Sequence, residues 1–304
     1  MLAVSPRRDS MQDNQQTADH YTKQWSSDLG FRSFVQQNAE AAKAMPSRQL
    51  PWAELFERIR KQASERKTSV YDAACGFGDI LNQLAASPVP ANLEYVGADI
   101  HGALDTIERF GIATLFNHDI TSELPTRQQF DFIVCRAAIH HTPSPRATFH
   151  TLVRQLAPGG TIAITAYAKK APMREAVDDV LRAAIIPMPN DEAFATANQL
   201  TALGRDLQRS QGQITIDNDL PFLGIKAGTY DIQTFIYNHF IKCWHNPAFS
   251  EQHCDLVNFD WYHPPFAFRY KRDELREWAA SCGLEIVNEA STEAQHYLEC
   301  RSSR

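Results

Sequence analysis

One short stretch near residue 70 constrains the fold more than any other part of the chain. Residues 70–79 read VYDAACGFGD, so an acid and two spaced glycines directly follow an apolar run. A strand, a glycine-bearing turn and a helix in this order are typical of nucleotide-binding α/β folds. Gly76 and Gly78 remove side chains that would keep a ligand away from the backbone and the helix N-terminus. Leu81 occupies the place of a third glycine, which disfavours a nicotinamide cofactor.

Short apolar runs alternate with helical stretches from Ser69 onward, which predicts a mostly parallel sheet with helices on both faces. The expected strands are Val70 to Ala73, Tyr95 to Ala98, Ile112 to Phe116, Phe130 to Cys135 and Ile162 to Tyr167. Pro158, Gly159 and Gly160 end the helix before the fifth of these strands. Late in the chain the pattern predicts a helix over 271–281 and strands over 284–288 and 297–300.

The regular alternation lapses for about a hundred residues after Tyr167, which is too long for an ordinary loop. Helices are therefore expected there, at Met173 to Ala184, Glu192 to Leu207 and Tyr230 to Phe240. The predicted organisation is a helical lid at 1–66, a ligand-binding core at 67–168, a helical insertion at 169–268 that caps the substrate, and completion of the core at 269–304.

Two more acids follow the next two predicted strands. Asp99 comes about twenty residues after the glycines, where a carboxylate can bind a ribose diol, and Asp119 follows the third strand. Any one of these motifs is also met by an ordinary turn whose acids bind local amides. Together, the residues from Ser69 to Tyr167 resemble class I S-adenosylmethionine-dependent methyltransferases. The resemblance lies in Asp72 to Gly78, Val96 to Ile100, Asp119-Ile120, Phe130 to Val134 and Leu156 to Gly160.

The resemblance implies a Rossmann-like class I methyltransferase sheet and S-adenosylmethionine as the cofactor. It assigns the amides around Ala74, Gly76 and Gly78 to the methionine part, beside Asp72. It also assigns further cofactor contacts: Asp99 and Ile100 at the ribose, Asp119 and Ile120 at the adenine, and Arg136 at the sulfonium end. Ala74 departs from the family, which most often has glycine there. Its methyl group is tolerable if the local backbone has a negative φ.

His140 and His141 follow the fourth predicted strand, at the sheet edge where open α/β folds place their sites. They are the acid–base candidates, although a similar stretch in resembling enzymes packs against or caps the following helix. Tyr167 ends the fifth strand and is a candidate to orient a substrate or to attract the sulfonium cation. Tyr21 and Trp25 lie one helical turn apart, and in resembling enzymes such a leading helix closes over the cofactor. An ordinary buried helix face gives the same pattern.

Residues 259–266 read FDWYHPPF, and their prolines predict an extended, rigid segment. Trp261, Tyr262 and His263 have polar atoms and are the substrate-binding candidates, whereas the phenylalanines favour packing. Lys169, Lys170 and Arg174 form a basic cluster that is able to receive a carboxylate or phosphate, or is simply a solvated helix start.

The net charge of −6 gives no basic footprint for a nucleic acid, so a small-molecule substrate is expected. The six cysteines lack a C-x-x-C pair and the histidines lack a second ligand pair, so no metal is expected. Together with the lack of an apolar leader or membrane-length run, this predicts a cytoplasmic protein without a membrane partner. The oligomeric state is not indicated.

Three functions are open at this point. The first is methyl transfer to a small molecule in specialised biosynthesis. The second is cyclisation of S-adenosylmethionine to azetidine-2-carboxylate and methylthioadenosine, which needs the same binding of the adenosyl group as methyl transfer does. The third is a non-catalytic domain that binds the cofactor.

Overall fold

The predicted alternation builds one mixed β-sheet in the computed structural model, which describes residues 17–21, 50–100 and 102–303. The strands in chain order are β1 (Thr68–Ala73), β2 (Leu93–Asp99), β3 (Ala113–Asn117), β4 (Phe130–Cys135), β5 (Leu156–Ala168), β6 (Gln213–Ile216), β7 (Gly228–Asp231), β8 (Arg269–Tyr270), β9 (Leu284–Ser291) and β10 (Gln295–Ser302). The helices are α1 (Trp52–Glu65), α2 (Asp79–Leu84), α3 (Pro145–Val153), α4 (Pro172–Ile185), α5 (Asn190–Arg209), α6 (Ile232–His239), α7 (Glu251–Tyr262) and α8 (Arg272–Ser281). Contacts divide the chain into two units, Met1–Ala168 with Phe268–Arg304, and Lys169–Ala267.

The sheet of the first unit has the order β3-β2-β1-β4-β5-β10-β9, with β8 beside the end of β5. Strands β1 to β5 pair in parallel, and β10 runs antiparallel between β5 and β9. The strand order reverses between β1 and β4, and open sheets of this kind bind ligands outside the carboxyl ends of the strands at that point. The α/β class predicted from the sequence is therefore confirmed, with one antiparallel strand near its edge.

Alternate side chains of each strand point to opposite faces, so the sheet has a hydrophobic core on each side. On one face, Ile133 and Cys135 of β4 pack with α3 and α8. On the other face, Phe132 and Val134 pack with α1 and α2. Helices thus cover both faces, and the site lies at the edge between them.

The second unit contains α4 to α7 and the antiparallel hairpin β6–β7. The three helices expected from the sequence are present at α4, α5 and α6, although Tyr230 belongs to β7. Helix α7 was not predicted, and the extended segment expected over 259–266 is wrong, because the chain stays helical through Tyr262. The side chain of Ser250 accepts a hydrogen bond from the His253 amide and caps the start of α7. Pro264 and Pro265 come after the end of this helix, so they do not impose an extended backbone on residues 259–262.

Candidate active site

The turn between β1 and α2 has a left-handed backbone at three alternate positions. The φ angles are +68° at Ala74, +54° at Gly76 and +77° at Gly78. Glycine adopts such angles without strain, whereas a Cβ atom at Ala74 is strained. The negative φ that would make Ala74 harmless is therefore not found, and the alanine holds the turn at a cost in energy.

The amides of this turn are already used inside the protein. The amide of Ala74 donates to Ala98 O at 2.8 Å, that of Gly78 donates to Cys75 O at 2.9 Å, and that of Gly76 donates to Asp99 Oδ2 at 2.8 Å. Two of these acceptors belong to β2 and one, Cys75 O, belongs to the turn, so each amide has an acceptor within the protein. The role of the amides around them toward the methionine part stays a prediction. Because Gly76 has no side chain, the space where its Cβ atom would lie is open.

Asp72 is the next-to-last residue of β1, and its carboxylate is buried under the turn. The Tyr95 hydroxyl donates to Asp72 Oδ2 at 2.5 Å, whereas Oδ1 is buried with no hydrogen-bond partner. Gly97, the register partner of Asp72 on β2, makes this bond possible. A Cβ atom at Gly97 would lie 3.0 Å from Tyr95 Cε1 and 2.8 Å from Leu115 Cδ2, so only glycine lets the ring cross the strand.

Burial raises the pKa of the Asp72 carboxyl group to about 7, against the lowering effects of the Tyr95 hydrogen bond and the Arg136 charge. Arg136 follows β4 and forms a half-buried ion pair with Asp79, the first residue of α2. The pair joins the two loops on either side of the strand-order reversal. The Asp72 carboxylate is thus left without a direct cationic partner.

The other predicted acids also lie at the carboxyl edge of the sheet. Asp99 ends β2, is mostly buried, and ties that strand to the glycine turn through Gly76. Asp119 Oδ1 accepts the Thr121 amide at 2.9 Å and so shapes the loop after β3. Ile100 is partly exposed, whereas Ile120 is buried in the core. The structure therefore offers carboxylates and Ile100 to a ligand more directly than Ile120.

Four aromatic rings meet at the carboxyl ends of β4 and β5. The rings of His140 and Tyr167 are tilted by 34° with centroids 3.7 Å apart, and the His141 ring centroid lies 4.2 Å from that of His140. The Tyr21 ring meets His141 edge-on at 5.7 Å. The structure thus brings together all four residues predicted as catalytic, from three distant parts of the sequence.

Burial, and then the neighbouring His141, lower the pKa of His140 well below its ordinary value. His140 is therefore neutral at physiological pH and has a free electron pair on one ring nitrogen. The backbone carbonyl of His140 accepts a hydrogen bond from the Phe268 amide at 2.9 Å, which fixes His140 beside the residue that precedes β8. A fixed, neutral imidazole is able to act as a proton acceptor.

The comparison with known proteins decides the family. A methyltransferase domain family matches residues 46–210, which is more than half of the chain. The chain is a class I S-adenosylmethionine-dependent methyltransferase. No curated protein matches the sequence.

Solved structures share the fold of this methyltransferase at low identity. The 1,6-didemethyltoxoflavin-N1-methyltransferase of Burkholderia thailandensis, solved with 1,6-didemethyltoxoflavin and S-adenosylhomocysteine, is 10% identical with a TM-score of 0.51, over 99% of this chain and 94% of that one. PKMT2 from Rickettsia typhi, solved with AdoHcy, is 14% identical with a TM-score of 0.52, over 82% of this chain and 52% of that one.

The residues at the sheet edge of the methyltransferase fit its cofactor. S-adenosylmethionine carries an ammonium group and a sulfonium group, and both are cations. The buried Oδ1 of Asp72 lacks a hydrogen-bond partner, and burial without a bound cation raises the pKa of the carboxyl group to about 7. A cation placed there would satisfy both conditions. Sequence reasoning missed Tyr95, Gly97 and Asp79 in this arrangement; a glycine inside the predicted β2 was the sequence signal, but its pairing with Asp72 is known only from the structure.

The predicted substrate-binding residues lie in the second unit. Trp261, Tyr262 and His263 are buried there. The indole of Trp261 and the hydroxyl of Tyr262 both donate to Asp178 at 2.8 Å, and His263 Nε2 is 3.1 Å from Met188 O. Trp25, predicted to close over the cofactor, lies outside the described residues, whereas residues 17–21 are helical.

Two wider observations on the methyltransferase concern metals and membranes. The described residues contain no group of three or more His, Cys, Asp or Glu side chains arranged to hold a metal ion. No helix in the described part of the chain has the length and apolar character needed to span a bilayer.

Proposed function

We propose that this enzyme transfers the methyl group of S-adenosylmethionine to a small-molecule acceptor, in specialised biosynthesis. The observation that carries the proposal is the aromatic cluster of Tyr21, His140, His141 and Tyr167 at the carboxyl edge of the sheet, in which all but Tyr21 are buried. His141 and Tyr167 are only 7% and 8% exposed, so a group that contacts their rings lies away from bulk water. An enclosed site suits a small molecule better than the surface of a macromolecule.

Three further observations support a small acceptor and a place where it is selected. The net charge of −6 provides no field to attract a phosphate backbone. The chain also leaves the core at Ala168 and returns at Phe268, so a unit of its own follows the strand that bears Tyr167. The Burkholderia enzyme acts on a small molecule, as its bound 1,6-didemethyltoxoflavin indicates. We therefore assign substrate choice to the second unit.

The bound cofactor supplies a methyl group that is already activated by its sulfonium. The protein must then bind, orient and exclude water, and it needs a base only if the acceptor arrives protonated. In our proposal Asp72 pairs with the cationic methionine part, Asp99 binds the ribose, and Asp119 lies at the adenine. We assign His140 as the group that accepts the acceptor's proton, because neither of its ring nitrogens has a hydrogen-bond partner in the protein, and Tyr167 holds the imidazole in place by ring contact.

The test is incubation of the purified protein with S-adenosylmethionine, first alone and then with a panel of small hydroxyl, amine and carbon acids, followed by mass spectrometry. Adenosylhomocysteine formed only with an acceptor supports the proposal. Methylthioadenosine formed without an acceptor would replace it with cyclisation of the cofactor. Transfer to nucleic acid or protein, with no small acceptor methylated, would refute the substrate class.

The role of His140 has its own matched comparison. We expect His140→Asn to lower kcat by about 10²-fold or more while the Kd for S-adenosylmethionine stays unchanged. His150→Asn, which changes a histidine on α3 that contacts Ser281, is the control and should keep full turnover. Equal turnover of the two variants would remove His140 from the chemistry.

A further inference from the structure

Two largely buried cationic side chains of the second unit have N–H groups without an acceptor among the described residues. They belong to Arg174 on α4 and to Lys242 in the segment between α6 and α7. Buried charges in proteins are normally paired and hydrogen-bonded, because removing a charge from water is costly. The sequence had placed Arg174 in an exposed or substrate-facing cluster, and Lys242 had not been singled out.

Arg174 is fully buried, and its partners leave one end of the guanidinium free. Its Nε donates to both carboxylate oxygens of Asp178 at 2.9 Å, and its Nη1 donates to the Tyr237 carbonyl. Nη2 is buried and has no acceptor. The Trp261 indole and Tyr262 hydroxyl complete the bonds to Asp178, so that carboxylate is fully engaged.

Lys242 is 6% exposed, and its ammonium lies 4.4 Å from the centroid of the Trp261 ring. Its backbone amide donates to the Tyr262 hydroxyl at 3.1 Å, which fixes the start of the side chain. Among the described residues its Nζ has no hydrogen bond or ion pair. The Arg174 guanidinium is 5.6 Å from the same Trp261 ring, so one indole contacts both cations.

The charged groups around Lys242 do not balance it. Burial, followed by the Arg174 charge, lowers the pKa of Lys242 to about 7, and Lys170 adds to this lowering. Asp260 and Asp178 act in the opposite direction and are outweighed. The neighbouring hydroxyl of Tyr262 is neutral, since burial raises its pKa far above the ordinary value. The region therefore has room for one more negative charge.

A purely structural role explains these features poorly. A buried ion pair contributes little compared with apolar side chains of similar size, and a lysine without a partner contributes less. Cation–π contact with Trp261 offsets part of the cost of burial. It does not supply the hydrogen-bond acceptor that three N–H groups require.

We propose that Lys242, with Arg174 and Lys170 beside it, forms an anion-binding subsite within the second unit for a carboxylate or phosphate group of a small molecule. This subsite depends on the proposed function in one respect: we take the small molecule that carries the anionic group to be the methyl acceptor. Two buried, positively charged groups with free donors are the chemistry that recognises such an oxyanion. Lys170 Nζ lies 5.9 Å from the Tyr237 ring centroid, and the Arg174 guanidinium lies 5.0 Å from it.

Anion binding is coupled to the proton on Lys242. A bound anion favours the ammonium form, so the pKa of Lys242 rises and the site takes up a proton when the ligand is held near neutral pH. Affinity is therefore expected to fall as pH rises above 7. The charged groups that act on this proton are Arg174 and Asp178 on α4, Asp260 on α7, and Lys170.

The experiment is calorimetric titration of the full-length protein with inorganic sulfate, without S-adenosylmethionine, at pH 6.5 and pH 8.5 and constant ionic strength. Sulfate keeps the same charge at both values, so a change in affinity belongs to the protein. We expect saturable binding that is weaker at pH 8.5. Lys242→Met should lower the affinity by about tenfold or more, and Lys242→Arg should retain most of it.

Lys226→Met is the matched control, because Lys226 is an exposed lysine of the same unit. It should bind sulfate like the unchanged protein. A thermal melt of each variant shows that it is folded, and loss of the buried ammonium is not expected to lower stability. Absence of saturable sulfate binding at pH 6.5, or equal binding by Lys242→Met, would overturn the subsite. Methyl transfer is measured separately, so that transfer without sulfate binding refutes only the subsite, and sulfate binding without transfer refutes only the proposed function.

Discussion

Replacing Asp72 by asparagine tests the central electrostatic feature of the site. The variant keeps the shape of the side chain and an oxygen that accepts the Tyr95 hydroxyl, but it removes the titration. The Asp72 pKa rises from 3.8 to about 7 in the folded protein, which corresponds to a free energy on the order of 4 kcal/mol. Because the folded pKa is the higher one, the stabilisation by the protonated form is complete below pH 4 and is lost as pH rises to 7.

The unfolding free energy of the two proteins, measured by urea denaturation at several pH values, checks this reasoning. Without cofactor, the unfolding free energy of Asp72→Asn relative to that of the unchanged protein should increase between pH 4 and pH 8 by up to about 4 kcal/mol. Asp105→Asn, at a carboxylate whose side chain is 97% exposed, removes the same charge and should show no such gain. A stability difference between Asp72→Asn and the unchanged protein that is independent of pH would refute the assigned burial effect.

The same substitution predicts the pH dependence of cofactor binding. The proton on Asp72 must leave before the carboxylate pairs with a cation, so the affinity for S-adenosylmethionine should fall about tenfold for each pH unit below 7. Calorimetry should show weaker binding by Asp72→Asn at pH 8, by about tenfold to a hundredfold, with little dependence on pH. Unchanged affinity would contradict the placement of a cation at Asp72.

Three further substitutions test the glycine turn and its neighbours. Ala74→Gly removes a strain of about 1–2 kcal/mol but loosens the unfolded chain by about 0.4–1 kcal/mol, so the melting temperature should rise by roughly 1–3 °C; a lower melting temperature would contradict the left-handed angle. Gly97→Ala places a Cβ atom 2.8 Å from Leu115 Cδ2 and should destabilise the protein by about 1–3 kcal/mol, measured by denaturation. Asp99→Asn keeps an acceptor for the Gly76 amide but removes the charge, so calorimetry should show weaker S-adenosylmethionine binding and a thermal melt little loss of stability. Asp99→Ala should reduce both the cofactor affinity and the melting temperature.

The sheet was predictable because its strands are short apolar runs whose side chains are buried on both faces. Such runs are a property of nearby residues, and β1, β2 and β4 were found within a few positions of their observed ends. The acids at the strand ends were predictable for the same reason, since chain position alone puts Asp72 and Asp99 at the carboxyl edge. Tyr21 and Tyr167 could be named as candidates, but their meeting with His140 depends on the whole fold.

The features that were missed depend on partners far away in the sequence. The aromatic residues before Pro264 were expected to be extended, but the cap at Ser250 and the packing of α7 on α5 keep them helical. The left-handed angle at Ala74 is imposed by bonds to β2 that a single alanine does not reveal. The burial of Arg174 was also hidden, because its partners Tyr237 and Trp261 lie more than sixty residues further on.

The position of β10 in the sheet has a consequence for synthesis on the ribosome. Strand β5 ends at Ala168, but its antiparallel neighbour begins only at Gln295. At roughly 5–20 residues per second, one edge of β5 waits about 6–25 seconds for its partner. During that time an apolar strand with unpaired backbone groups is open to other chains. Slow translation of the intervening codons, or loss of the last strand, should therefore reduce the yield of native enzyme through aggregation, even though β9 and β10 contribute no residue to the proposed site.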